Sequence, residues 1–154
     1  MKLLYKVATI NDIDELTKLR AEVLISANCL EIDEDMTIVK EKTYEYYKSA
    51  FANNSHYAII VYDGDYIAGT GAISFYKVMP TFHNPSGEKA YIMNMYTRDE
   101  YRMNGVAFEV LKMLLEEAKR REILEITLET TEMGKPLYEK SGFRYMQSEM
   151  EYVY

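Results

Sequence analysis

Cysteine, histidine and long apolar runs are scarce in this sequence, and each scarcity excludes something. The single cysteine, Cys29, has no partner for an intramolecular disulfide, and two isolated histidines, His56 and His83, give no metal-ligand spacing. No disulfide framework and no structural metal are expected. Cys29 sits beside Leu30 at the end of an amphipathic stretch with no histidine near it in sequence, so it reads as buried or neutral rather than as a nucleophile. No apolar run approaches the roughly 18 to 20 residues that a membrane helix needs. The opening MKLLYKVATINDIDEL meets acidic residues too early for a signal peptide, and cytoplasmic residence without a membrane partner is the expectation. Positive charge is also in short supply. Against 25 Asp and Glu stand 18 Lys and Arg, and the net charge of −7 has the wrong sign for a nucleic-acid partner, whose phosphates reward clustered cations. The acidic excess suits solubility or a cationic substrate.

What is present suits one globular domain spanning 1–154: the chain is 48% hydrophobic and 28% charged, and long enough for a real core. LLYKVAT alternates and predicts a strand over residues 3–9. NDIDEL then offers Asp12 as a helix cap with Glu15 three residues on, and Ile13, Leu16, Leu19, Val23 and Ala27 recur at helical steps. A second helix is predicted near 36–52, where Met36, Val39, Thr43, Tyr47 and Phe51 share a face. The period changes in HYAIIVYDGDYIAGTGAISFY, whose Asp63-Gly64 turn joins two β-rich runs into a hairpin. Pro80, Pro85 and Gly87 mark a loop, AYIMNMYT a further strand, and Val106, Val110, Leu111, Leu114, Leu115 and Ala118 the apolar face of a helix ending near Arg121. EILEITLET predicts a mostly buried strand, Lys135 to Ser141 a short helix stopped by Gly142, and the tail one or two final strands. The order β, α, α, β, β, β, α, β, α, β implies helices covering a mixed sheet, an α/β or α+β fold.

A strand that passes through a short loop into a helix start gathers unpaired backbone N–H groups at one point, where the helix dipole adds positive potential. Such a point attracts phosphate. The segment YRMNGVAFEV, residues 101–110, is built this way: Gly105 lets a bulky anion approach the main chain, Ala107 keeps the next turn small, and Arg102 and Asn104 offer further donors. Neither a Walker loop nor the three-glycine dinucleotide fingerprint is present. Taken alone, the hexapeptide is equally a plain helix start with Asn104 as its cap.

Its surroundings add more. The stretch AYIMNMYTRDEYRMNGVAFEVLKMLLEEAKRREILEITLETTEMGKPLYEKSGF resembles the GCN5-related N-acetyltransferase (GNAT) family over its whole length, and the element order before it agrees. Arg102, Met103, Asn104, Gly105, Val106 and Ala107 match the family's Q/R-x-x-G-x-G/A segment, and LYEKSGF matches its second signature. The resemblance, to a bacterial small-molecule-type member, implies the acyl-CoA N-acyltransferase fold, with a mixed, mostly antiparallel sheet of six to seven strands flanked by about four helices. It implies acetyl-CoA as cosubstrate, its pyrophosphate wrapped by residues 102–107 and its pantetheine arm paired with the backbone of Met95, Tyr96 and Thr97. A homodimer is allowed.

Acetyl transfer to an amine needs a neutral amine, a stabilised oxyanion and a proton for the departing thiolate. Tyr138, at the position where family members often carry a tyrosine, is the expected general acid, since a phenol with an ordinary pKa of about 10 holds its proton at neutral pH. The competing reading is a tyrosine that packs the last helix on the sheet. Glu31, Asp33 and Glu34 lie in the loop that lines the acceptor site in this family, so Glu31 and Glu34 are candidates for a base or for holding a cationic amine; a solvated acidic loop is the alternative. Glu88, Tyr91, Asn94 or a water are further candidates for the base. Many relatives have an asparagine shortly before the tyrosine element; here TTEMGKP stands instead, and a hydroxyl of Thr130 or Thr131 is the substitute. The expected function is N-acetylation of a primary amine, on a small molecule or an exposed amino group, by direct attack in a ternary complex. The alternatives are a non-catalytic CoA-binding sensor or regulatory module and, from the phosphate loop alone, an enzyme of nucleotide phosphates.

Overall fold

The computed structural model describes residues 2–154. Five strands form one sheet in the order of the chain: β1 (Leu4–Val7), β2 (His56–Asp63), β3 (Tyr66–Lys77), β4 (Glu88–Thr97) and β5 (Glu125–Leu128). Neighbours are antiparallel except β4 and β5, which run parallel. The reason is connectivity. A tight turn at Gly64-Asp65, one residue beyond the Asp63-Gly64 position expected from the sequence, returns β2 into β3, whereas β4 reaches β5 only through a helical crossover, which parallel strands require.

Four helices cover the sheet: α1 (Ile13–Ala27), α2 (Thr37–Ala52), α3 (Val106–Arg120) and α4 (Lys135–Lys140). Strand β2 shows why both faces need cover. Its Ile59 and Val61 pack with Val106, Val110, Leu111 and Leu114 of α3, while Ala58 and Ile60 face Leu16 and Leu19 of α1 and Tyr47 of α2. Alternate residues of one strand thus enter two cores, and the strand is apolar almost throughout for that reason. All four of those β2 residues are at most 1% exposed.

Local chemistry departs from expectation at two places. Asp12 occupies the N-cap of α1, but its side chain makes no cap bond there. It instead completes a capping box with Thr9 around the short 3-10 helix Ile10–Asp12 and pairs with Lys6 at 2.6 Å, and Glu15 accepts the Tyr62 hydroxyl instead of closing a box with Asp12. The second departure is the strand count. Six or seven strands were expected with one or two in the tail, but residues 143–154 carry no regular structure and the sheet stops at five. A further strand must bury a face to repay its ordering, and here Tyr152, Val153 and Tyr154 all lie exposed. The β5 expectation of a mostly buried strand also softens, as all four of its residues are half-buried.

Candidate active site

The site begins with a defect in the sheet. Across β3 and β4, Thr70 faces Tyr96 and Ala72 faces Met93, so Gly71 alone opposes both Asn94 and Met95. This is a β-bulge on β4, and Asn94 takes the left-handed conformation (φ +57°) that lets the extra residue fit. Gly71 is part of the arrangement: a Cβ there would lie 2.5 Å from the Met95 sulfur and 2.5 Å from Val110 Cγ1. On the other side of β4 the pairing with β5 ends at Ile92 and Leu128. Residues 93–97 therefore leave the β5 side of the strand with backbone groups that no ladder uses.

Just past β4 the chain turns into α3 through Met103 (φ +63°) and Gly105 (φ +78°). Gly105 is the N-cap, in a region that favours glycine, and no side chain caps the first turn. The free N–H groups of that turn and the helix dipole are left for an anion. Asn104 serves the loop itself: its amide nitrogen donates to the carbonyls of Tyr101 (3.3 Å) and Arg102 (3.0 Å), which spends the donor expected to reach phosphate. Arg102 donates to Thr97 O at 3.2 Å and pairs with Asp99 at 2.7 Å, so it ties the loop to the end of β4.

These parts border one groove of about 650 Å³, running from the α3 start along the free edge of β4 to α4. Met95, Tyr96, Thr97, Arg102, Met103, Gly105, Val106, Ala107 and Thr131 all line it, and so does Tyr138. Tyr138 is 8% exposed, stacks edge-on against Phe143 at 5.8 Å, and is held protonated by burial, which raises its pKa. Thr131 lines the groove and also accepts the Gly134 N–H at 3.2 Å, so its hydroxyl shapes the turn into α4. The groove thus offers an uncapped helix start, an unpaired strand edge and a protonated phenol in succession. That series fits a long phosphorylated thioester.

A second cavity of about 390 Å³ lies between α1, α2 and the sheet. It shares Arg20, Met93 and Asn94 with the groove, so the two spaces meet at the bulge. Its other walls are Leu24, Ile38, Val39, Tyr46, Tyr47 and His56, with Lys42 and Thr43. His56, which the sequence leaves unplaced, is buried here. Burial lowers its pKa to about 4, and its Nδ1 joins a cluster with the Tyr46 hydroxyl (3.0 Å) and Ser74 Oγ (3.1 Å). It is neutral at pH 7. Burial also raises Tyr47, to about 12.

Glu31, Asp33 and Glu34 are exposed and line neither space. Glu88 lines neither, whereas Tyr91 borders the groove and Asn94 both. Cys29 is exposed, and His83 stacks on Phe82 away from both. Arg20 passed unnoticed in the sequence because nothing distinguishes it from any arginine on an amphipathic helix.

The model of the acetyltransferase (GNAT) family matches residues 26–143, which include the bulge, the α3 start and α4. The chain belongs to the acetyltransferase (GNAT) family. GNAT enzymes use acetyl-CoA as cosubstrate for acetyl transfer, which agrees with the chemistry of the groove. A protein of Clostridium acetobutylicum described as a predicted acetyltransferase and solved with acetyl-CoA is 34% identical, with 99% of this chain and 96% of that one covered and a TM-score of 0.89. The uncharacterized N-acetyltransferase YsnE of Bacillus subtilis is 35% identical over 96 residues, 59% of this chain and 58% of that protein's length. The GCN5-related N-acetyltransferase of Ralstonia eutropha shares the fold at 18% identity and a TM-score of 0.82, with 99% of each chain covered. Among the described residues no helix is long and apolar enough to cross a membrane and no group of His, Cys, Asp or Glu could hold a metal ion.

Proposed function

We propose that residues 1–154 form a single acetyltransferase domain that moves the acetyl group of acetyl-CoA to a primary amine, by direct attack in a ternary complex. The observation that carries this reading is the meeting of the two spaces at Met93 and Asn94, beside the free edge of β4. Bound acetyl-CoA supplies a thioester whose C–S bond breaks as the amine nitrogen forms the new C–N bond; the ammonium form of the acceptor sheds two protons, one to the departing sulfur and one to solvent. The α3 start holds the pyrophosphate through the backbone of residues 103–107, with Arg102 bracing the loop. The backbone of Met95, Tyr96 and Thr97 aligns the arm. Tyr138 protonates the sulfur.

Among the described residues no Asp or Glu lines the second cavity, and Glu129 is the acid that borders the groove. The cationic Arg20 makes a neighbouring ammonium more acidic, so its proton is lost to water more readily. The experiment is a free-thiol assay of purified protein with acetyl-CoA and a panel of primary amines. Amine-dependent thiol release supports transfer. Saturable acetyl-CoA binding with no release on any amine would return the protein to the sensor reading.

A further inference from the structure

The acceptor cavity is polar at one end and apolar along its walls. Arg20 and Asn94 form the polar end, where the cavity opens into the groove. The Arg20 guanidinium donates to Asn94 Oδ1 at 3.2 Å, and because arginine only donates, this fixes the orientation of the Asn94 amide. Nδ2 of Asn94 then points elsewhere. It is buried without a partner, on a residue only 7% exposed. Arg20 has no ion-pair partner among the described residues, and one contact leaves most of its five N–H donors unspent. A buried amide donor left unpaired is costly unless a ligand completes it.

What would complete it must accept from both groups and carry negative charge. The other ionisable groups around the cavity supply none: His56 and Tyr47 are neutral at pH 7, and Lys42 adds a second positive charge that its exposed pair with Glu45 at 3.1 Å only partly offsets. On the groove side the acid bordering this corner is Glu129, whose charge raises the Tyr91 pKa while that of Arg20 lowers it, and the two make no ion pair. One guanidinium and one amide suit a planar monoanionic carboxylate, whereas a phosphate dianion would meet apolar walls on its remaining sides. Leu24, Ile38, Val39 and Met93 leave the rest of the space for an apolar side chain.

Resting on the acetyl-transfer reading, we propose that the acceptor is an α-amino acid with an apolar side chain, its carboxylate held by Arg20 and Asn94 Nδ2 and its side chain in the 390 Å³ cavity. The position of the anion site argues for the α-amine. Arg20 and Asn94 stand at the junction with the groove, so an amine one carbon from the carboxylate is delivered to the thioester, whereas an amine on a long chain would be directed past it. Arg20 is thereby a specificity-determining residue.

The test uses leucine, methionine and phenylalanine beside their amides and their decarboxylated amines. Each is titrated calorimetrically into the protein and then assayed with acetyl-CoA. At least one amino acid should bind and be acetylated with kcat/KM about 10- to 100-fold above its amide and its amine, the range for losing a charge-assisted contact. R20M should erase that preference and weaken amino-acid binding by a similar factor, R20K should restore part of it, and circular dichroism will report whether either variant is folded. Amides or amines turned over as well as the amino acids, binding unchanged in a folded R20M, no binding by any of the three, or a preference for phosphoethanolamine would each overturn the assignment while leaving acetyl transfer intact. Binding of an amino acid that depends on Arg20, with no acetylation of any amine, would support the anion site and overturn the acetyl-transfer reading instead.

Discussion

At the residue scale the consequential side chains are those whose surroundings fix a protonation state or a backbone angle. Burial raises the Tyr138 pKa and leaves the phenol protonated beside the groove, so Tyr138→Phe should lower kcat by about 100-fold, the lower range for a lost general acid, with little change in the acetyl-CoA dissociation constant. Equal turnover by the variant would leave Tyr138 a packing residue against Phe143. Gly105 carries a different demand. At φ +78° an alanine costs about 1 kcal/mol, whereas aspartate adds a carboxylate beside the uncapped amides of α3. We expect Gly105→Asp to raise the acetyl-CoA dissociation constant at least tenfold in calorimetry, with Gly105→Ala much closer to the parent; equal losses would make backbone strain the cause. These two residues were legible from the sequence because a glycine at a helix start and a tyrosine in a signature are local features. Arg20, Asn94 and His56 were not, since their roles depend on which helix faces which strand.

At the element scale the bulge in β4 and the early end of β5 open the site, and both rest on neighbours. Gly71 makes room for the bulge. Gly71→Ala would press on Met95 and on Val110 of α3, a well-packed core contact, so a loss of about 1 to 3 kcal/mol is expected in urea unfolding, together with weaker acetyl-CoA binding. A stable variant with normal binding would show that Met95 can move aside freely. Another tie joins α1 to the end of β4: Arg98 grips Glu22 with two bonds of 2.8 Å and donates to Ile67 O at 2.9 Å. This pair helps to hold α1, and with it Arg20, against β4. The sequence showed α1, α2, the β2–β3 hairpin and α3 nearly to their ends, because amphipathic spacing and turn glycines are written locally. It overcounted the strands because a tail segment becomes a strand only if something covers one of its faces, and Tyr152, Val153 and Tyr154 all lie exposed.

At the scale of the whole molecule, stability should respond to acid through two kinds of group. The pKa of His56 falls from 6.5 to about 4 on folding, because burial penalises the cation. Between those values the unfolded chain binds a proton that the folded chain refuses, so stability present above pH 6.5 declines as pH falls toward 4, by up to about 3 kcal/mol. The carboxyls of Glu22 and Glu117 are lowered by hydrogen bonds from Arg98 and Arg120, so their contribution persists above the ordinary value of 4.5 and is lost only as pH falls further. Calorimetry should therefore show Tm already declining between pH 6.5 and 5, and His56→Gln, which keeps a partner for Tyr46 and Ser74, should flatten that interval. Parallel slopes for the two proteins would place the titration elsewhere. The same contrast between local and assembled chemistry separates what sequence and structure each decided. By itself the sequence determined the helical and β periods, the glycine at the start of α3 and the paired motifs that resemble the acetyltransferase family, all properties of residues close along the chain. Only the tertiary structure decided that the acidic loop lines neither the groove nor the second cavity, and that Arg20 of α1 meets Asn94 of β4 across 74 positions where those two spaces join. A contact of that kind is made by packing two elements on one sheet, and no spacing along the chain encodes it.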